Sequence, residues 1–196
     1  MRGSARVNLR VQTSVPDFEG LLECAGLVDF DSDRCRLDGE SHGAGETAPT
    51  SIILDGSTSY TRESDARWVF QRGAPGTRGM FHPSGLLRAL VRAPTSAAEV
   101  GERSVELGLD HDVLDAAADA GLASDWLTTA VAQISPSGRV SNIVLTHRSS
   151  EDPVSLIRVE CAISEPVQVG RIDLPQAEST ISLAAKFEQE HNQADA

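Results

Sequence analysis

Apolar residues recur at every second position in run after run of this chain, and that spacing constrains its fold more than any other feature. Val7, Leu9 and Val11 alternate with polar residues, the period of a half-buried strand. Across 20–30, Leu22, Cys24, Val28 and Phe30 fall on one face while Leu21, Ala25 and Leu27 fall on the other. This predicts a long strand with apolar groups on both sides. The stretch 31–49 is polar and Gly-rich, with a short strand expected around Cys35 to Leu37 and a flexible loop from Ser41 to Glu46. Ile52, Ile53 and Leu54 precede Asp55-Gly56 and the run Thr58 to Tyr60, a hairpin signal. Arg67 to Gln71 reads as a further strand, and 73–79 as a loop.

Helical spacing is rarer. Pro83 ahead of Leu86, Leu87, Leu90 and Val91 predicts a helix that Pro94 ends. Val113, Leu114 and Ala117 mark a second over 110–120, closed by Gly121. Trp126 to Ile134 reads as a strand, with a helix as the alternative. Val140 to His147, Leu156 to Ile163 and Val167 to Leu174 read as three more strands. Ser179 to Glu190 reads as a closing amphipathic helix. Strands that follow one another without intervening helices point away from a doubly wound parallel sheet. They predict an α+β chain built on a mostly antiparallel sheet. A length of 196 residues fits one domain, taken as 1–178, followed by a helix and polar tail at 179–196.

Charge narrows the partners. Seventeen basic against twenty-nine acidic residues give a formal charge of -12, which repels phosphate backbones and anionic membrane surfaces. No run approaches the roughly 20 apolar residues of a membrane span. The first ten residues lack the apolar segment of an export signal. As written, the chain is therefore expected in the cytoplasm, or in the cell envelope if an export signal lies upstream. Cys24, Cys35 and Cys161 form no pairing motif, leaving reduced thiols or one bridge open. Aromatic residues are only 4% of the chain, so the interior is expected to be Val, Ile, Leu and Ala.

Chemistry is sparse. Asp29, Asp31, Asp33 and Glu40 sit at positions one, three, five and twelve of a calcium-loop pattern, but the sixth position, which needs Gly, is Arg34. An acidic turn is the simpler reading. No histidine is spaced for zinc with another His or Cys, and no nucleophile elbow or phosphate loop is complete. No catalytic residue, metal or cofactor is expected, and binding is the expected activity. Trp68 and Phe70 alternate with Val69 and share a sheet face, either as plain core or as the wall of an apolar pocket.

Four runs carry a resemblance: Ile53-Leu54-Asp55-Gly56-Ser57-Thr58-Ser59-Tyr60 followed by Trp68, Pro83 to Leu90, Ser135 to Leu145, and Pro166 to Val169 with Pro175. In this order, over about 5–178, the chain resembles the actinobacterial LppX/LprG-type lipoproteins, relatives of the LolA-like carriers. The resemblance implies a strongly curved half-barrel sheet with helices packed over its concave side and an apolar cavity between them. It also implies a non-enzymatic carrier or sensor of a lipid or other apolar ligand. The strand residues Val28, Phe30, Leu54, Trp68 and Phe70 are then the expected lining, with Leu86, Leu87 and Leu90 on the helix. The alternative is a protein-interaction or regulatory module, with a protein partner, that keeps the fold without carrying lipid. The chain departs from the family in showing no lipid-anchored N-terminal Cys, and in the acidic, Ala-rich run 104–120.

Overall fold

A computed structural model describes residues 3–56, 58–64, 66–72, 82–92, 94–110, 126–152, 154–164, 166–168 and 171–194. The expected helix over 110–120 and the loop at 73–79 lie outside them, apart from Asp110. The first six strands are β1 (Ser4–Val15), β2 (Phe18–Asp29), β3 (Arg34–Gly43), β4 (Glu46–Asp55), β5 (Thr58–Glu63) and β6 (Trp68–Arg72). Helix α1 (Pro83–Arg92) leads into β7 (Pro94–Gly101), β8 (Ser104–Leu109), β9 (Trp126–Ile134), β10 (Val140–Ser149) and β11 (Leu156–Ile163). The short β12 (Thr180–Ser182) runs directly into α2 (Leu183–Ala194).

Among the described residues these strands make one twelve-stranded sheet in the order β12-β6-β5-β4-β3-β2-β1-β11-β10-β9-β8-β7. The ladders are antiparallel, β1 to β5 each passing to the next strand through a short connection; β12 alone pairs parallel, with β6. The sheet mixes the two pairings and does not close on itself, ending on β12 and β7.

This overturns the α+β expectation of a half-barrel with helices packed over its concave side. The described chain is mostly strand, and its two short helices form no covering layer. The chief contacts of α1 are with β7 and β8 near one edge, and those of α2 are with β6 and β12 at the other. The expectation failed in part because β7 and β8 went unread. All eight residues of β7 are exposed, so its sequence shows no alternation of apolar and polar groups. Of Val167 to Leu174, expected as a strand, the described residues 167–168 and 171–174 make an isolated bridge from Val167 to Ser4 and no longer ladder.

The turns explain the hairpins. Pro16-Asp17 joins β1 to β2, with proline presetting one central residue and Asp17 at φ 65° in the other, as a type II turn requires. The segment expected to be a flexible loop, 41–46, instead holds the last pairs of β3 and β4 around a two-residue turn. Its Ala44 (φ 51°) and Gly45 (φ 82°) are both left-handed, the geometry of a type I′ turn. Alanine is poorly suited there. Ala44→Asn is expected to raise stability by about 0.5–1 kcal/mol, and the Tm by about 2–3 °C, in thermal unfolding. An unchanged or lower Tm would count against this turn assignment.

The acidic run that resembles a calcium loop is turn chemistry. Asp29 Oδ1 accepts the Asp31 N–H at 3.1 Å and its Oδ2 accepts the Ser32 hydroxyl at 2.6 Å, so these bonds hold its carboxyl below the usual range. Arg34 Nε pairs with Asp55 Oδ1 at 2.9 Å, tying this turn to the one after β4. At α1, Pro83 takes the first helical position and His82 caps it: the Ser84 N–H donates to His82 Nδ1 at 3.1 Å.

The core occupies one sheet face. Ala5, Val7, Leu9 and Val11 point into it from β1. Directly opposite residues share a face, so Leu9 aligns Cys24 of β2 and Cys161 of β11, and Cys161 aligns Ile143 of β10. Ile143, Val159 and Cys161 have no exposed surface. On the opposite face a small second cluster joins Ile53, Trp68 and Ile172 under the returning segment 171–174.

Candidate functional site: an apolar pocket on the core face

The register builds a row of apolar side chains across the core face of β1 to β4. Leu9 belongs to it, with Leu22 of β2, Leu37 of β3, and Ile52 and Leu54 of β4. The row changes character at β5. Leu54 stands opposite Ser59, which stands opposite Gln71; Ile52 stands opposite Thr61, which stands opposite Val69. Two small hydroxyl side chains therefore sit where leucines or isoleucines would have filled the space. The outcome is a pocket of about 230 Å³ with a predominantly apolar wall.

The pocket also shows how the sheet bends. Leu9 on β1 and Val69 on β6 both line it. In a flat sheet the five strand spacings between them would separate these residues by roughly 24 Å. The sheet therefore curls around its core face. Leu183, the first residue of α2, closes one side of the pocket.

Beyond Leu183 lies a second cleft, of about 350 Å³, which shares Thr61, Val69 and Leu183 with the apolar pocket. Its wall adds Ile181 and three charged residues: Glu63, Arg67 and Lys186. Two larger grooves, of about 590 and 600 Å³, are more open and bordered by charged groups, among them Arg10, Glu23 and Glu40.

Sequence reasoning missed most of this lining. Of the eight residues expected to line a cavity, Leu54 lines this one. Val28 is fully buried in the closed part of the core. Phe30 lies past the end of β2 in a separate pocket of about 170 Å³ beside Ala5 and Ile163. Leu86 is buried in the main core, with Leu87 and Leu90 packed against it. Trp68 and Phe70 share a face, as their alternation predicts. That face is the other one, since Phe70 aligns Tyr60 and Ile53 rather than Leu54. Arg62 lies over the Trp68 ring at 4.6 Å, and Tyr60 packs on Phe70. The apolar runs 52–54 and 68–70 were visible in the sequence, but which of their residues face the pocket was not, and the small residues at 59 and 61 carry no signal until their neighbours are known.

The thiols also face this side. All three are free and buried. Burial, and then the nearby Asp38 carboxylate, pushes Cys24 up to about 11. Burial pushes Cys161 up to about 12. Cys35 is pushed further up, by burial and then by Cys161 and Cys24. None is thiolate at neutral pH, so none is poised as a nucleophile. His147, 1% exposed, has its Nδ1 2.6 Å from the Thr128 hydroxyl and its ring 4.8 Å from that of Trp126, contacts that fix the ring within the core. Among the described residues no group of three or more His, Cys, Asp or Glu side chains is arranged to hold a metal ion. No helix among them is long and apolar enough to cross a membrane.

No family model matches the chain, and no curated protein matches it. Among solved structures it is similar to the lipoprotein LppX of Mycobacterium tuberculosis. The identity is 12%, over 86% of this chain and 90% of that one, with a TM-score of 0.46. At that identity no residue role carries over.

Proposed function

We propose that this chain is a non-enzymatic binding protein for a slender apolar ligand, held between the curled face of β1 to β6 and the start of α2. The observation that carries this reading is the apolar pocket lined by Leu22, Leu37, Ile52, Leu54 and Val69. Well-packed interiors leave few voids larger than a water molecule. At about 230 Å³ the space exceeds the roughly 150 Å³ of a cavity that takes up benzene, yet falls below the roughly 300–1,000 Å³ of drug-sized sites. It suits one narrow apolar group rather than a multi-chain lipid.

Titration with N-phenyl-1-naphthylamine, an uncharged fluorophore that brightens in apolar surroundings, tests the reading. Thr61 lines the pocket from an exposed position, so Thr61→Trp fills the mouth without disturbing the core. The wild-type chain is expected to give saturable binding, and Thr61→Trp to weaken it by about ten-fold or more. Absence of saturable binding, or equal affinity in the variant, would sink the proposal. Native mass spectrometry of the protein from its own host would then identify any resident ligand.

One observation favours a second reading, that of a protein-interaction module. Edge strand β7 is exposed along its whole length and, among the described residues, pairs only with β8, leaving its outer edge to a partner strand. A chain that takes up no apolar probe, and whose protein partner is lost on Ala97→Pro, follows this reading instead.

A further inference from the structure

The apolar pocket does not stand alone. The cleft beside it shares three of its walls and carries Arg67 and Lys186 against one carboxylate, Glu63. Lys186 is the sole lysine of the sequence, in a chain with twelve more acidic than basic residues. Among the described residues of the cleft, two cations to one anion run against the charge of the whole molecule. The register places Glu63 and Ile181 of the cleft on the pocket's own side: Glu63 aligns Thr50 on the core face, and Ile181 aligns Val69. Lys186 lies one turn into α2 from Leu183, lines the cleft and is half-buried.

We propose that pocket and cleft form one site for a single-chain amphiphile with an anionic head group. The apolar tail passes Leu183 and Val69 into the space beside Leu37, Ile52 and Leu54. The head stays in the cleft, where Arg67 and Lys186 offer charged donors. Ser59 and Thr61 at the junction give hydroxyls where the ligand changes from apolar to polar. The inference rests on the apolar-ligand reading above and adds the chemistry of the head.

Competition against bound N-phenyl-1-naphthylamine with decanoate and with decanol, which share a tail and differ in head charge, tests it on the full chain. Decanoate is expected to displace the probe at about one-tenth of the decanol concentration, as charge-assisted bonds and paired cations would give. Lys186→Glu is expected to remove that preference by weakening decanoate about ten-fold more than decanol. Arg67→Gln, a milder change at an exposed position, is expected to reduce it in part. Raising the salt concentration should narrow the gap between the two ligands, since the charges are partly exposed. Equal displacement by both ligands, or a preference that survives Lys186→Glu, overturns the anionic head while leaving the apolar pocket standing. Failure of both ligands to displace the probe overturns the two proposals together.

Discussion

Gly39→Ala is expected to destabilise this protein by about 3–5 kcal/mol, the range of the most damaging single substitutions, and to lower the Tm by about 10 °C. In the β2–β3 ladder Cys24 aligns Gly39 and Gly26 aligns Leu37, so the two glycines lie diagonally across one strand pair. A Cβ on Gly39 would fall inside the contact radius of the Glu23 carbonyl oxygen, and one on Gly26 inside that of Arg36. Both obstacles are backbone atoms of the paired strand, so no side-chain rotation relieves the overlap. The strands would have to part, with loss of ladder hydrogen bonds in the middle of the sheet. Glycine within a strand commonly marks such a close approach, or a tight bend of the sheet. Gly43 is the control: a Cβ there meets only ordinary contacts, so Gly43→Ala on the same strand should be close to neutral. Urea unfolding of the three proteins checks this. A Gly39→Ala variant within 1 kcal/mol of wild type would show that β2 and β3 do not approach as described.

A steep loss of stability in mild alkali is the second large effect. Cys24, Cys35 and Cys161 are held protonated in the folded chain, with Cys24 up at about 11 and Cys161 at about 12, against an ordinary value of 9.0. In the unfolded chain the same thiols ionise at their ordinary values. Below pH 8 both states hold the protons and the thiols impose no pH dependence. Between pH 9 and 11 the unfolded chain releases protons that the folded chain keeps, so the unfolded state gains and stability falls. Each thiol then costs about 1.5 kcal/mol at pH 10, and roughly 4 kcal/mol for the three together. The comparison that isolates the thiols is with a chain carrying Cys24→Ala, Cys35→Val and Cys161→Val. Unfolding in urea at pH 8, 9 and 10 should show a clearly flatter slope for that chain. Parallel slopes would mean that the thiols are already ionised, or exposed, in the folded state.

How much of this was legible beforehand can be judged strand by strand. Trp126–Ile134 and Leu156–Ile163 were read to their final residues, because each buries alternate side chains on one face. Proline marked both ends of α1, and Asp55-Gly56 marked the β4–β5 hairpin. Residues 94–109 gave no such signal. An edge strand exposed on both faces has no reason to alternate, and β7 is one. The hairpin at Ala44-Gly45 was taken for a loop, since its polar strands carry few apolar residues to betray their period. The resemblance suggested a cavity and eight lining residues; of these Leu54 lines the apolar pocket, while the register turns Trp68 and Phe70 to the other face.

Trp68 and Leu54 show where local reasoning stops. Alternation places Trp68 with Phe70, and Leu54 with Ile52, yet says nothing of how the two pairs relate. Pairing register decides that, and a shift of one residue would exchange the faces. Here Leu54 meets Ser59 and then Gln71, so the aromatic pair turns to the opposite face, where Trp68 packs with Ile172. Residue spacing, turn chemistry and charge were enough to establish a strand-rich, acidic chain, because each acts over a few neighbouring positions; that all three thiols are free and buried came only with the structure. The pocket has a different origin. Two hydroxyl residues on β5 open space only because leucine and isoleucine rows flank them, and the sheet's curl brings β1 and β6 to one wall. Leu183 completes that wall through the parallel pairing of β12 with β6, a contact between segments far apart in the chain, of a kind that no local pattern encodes.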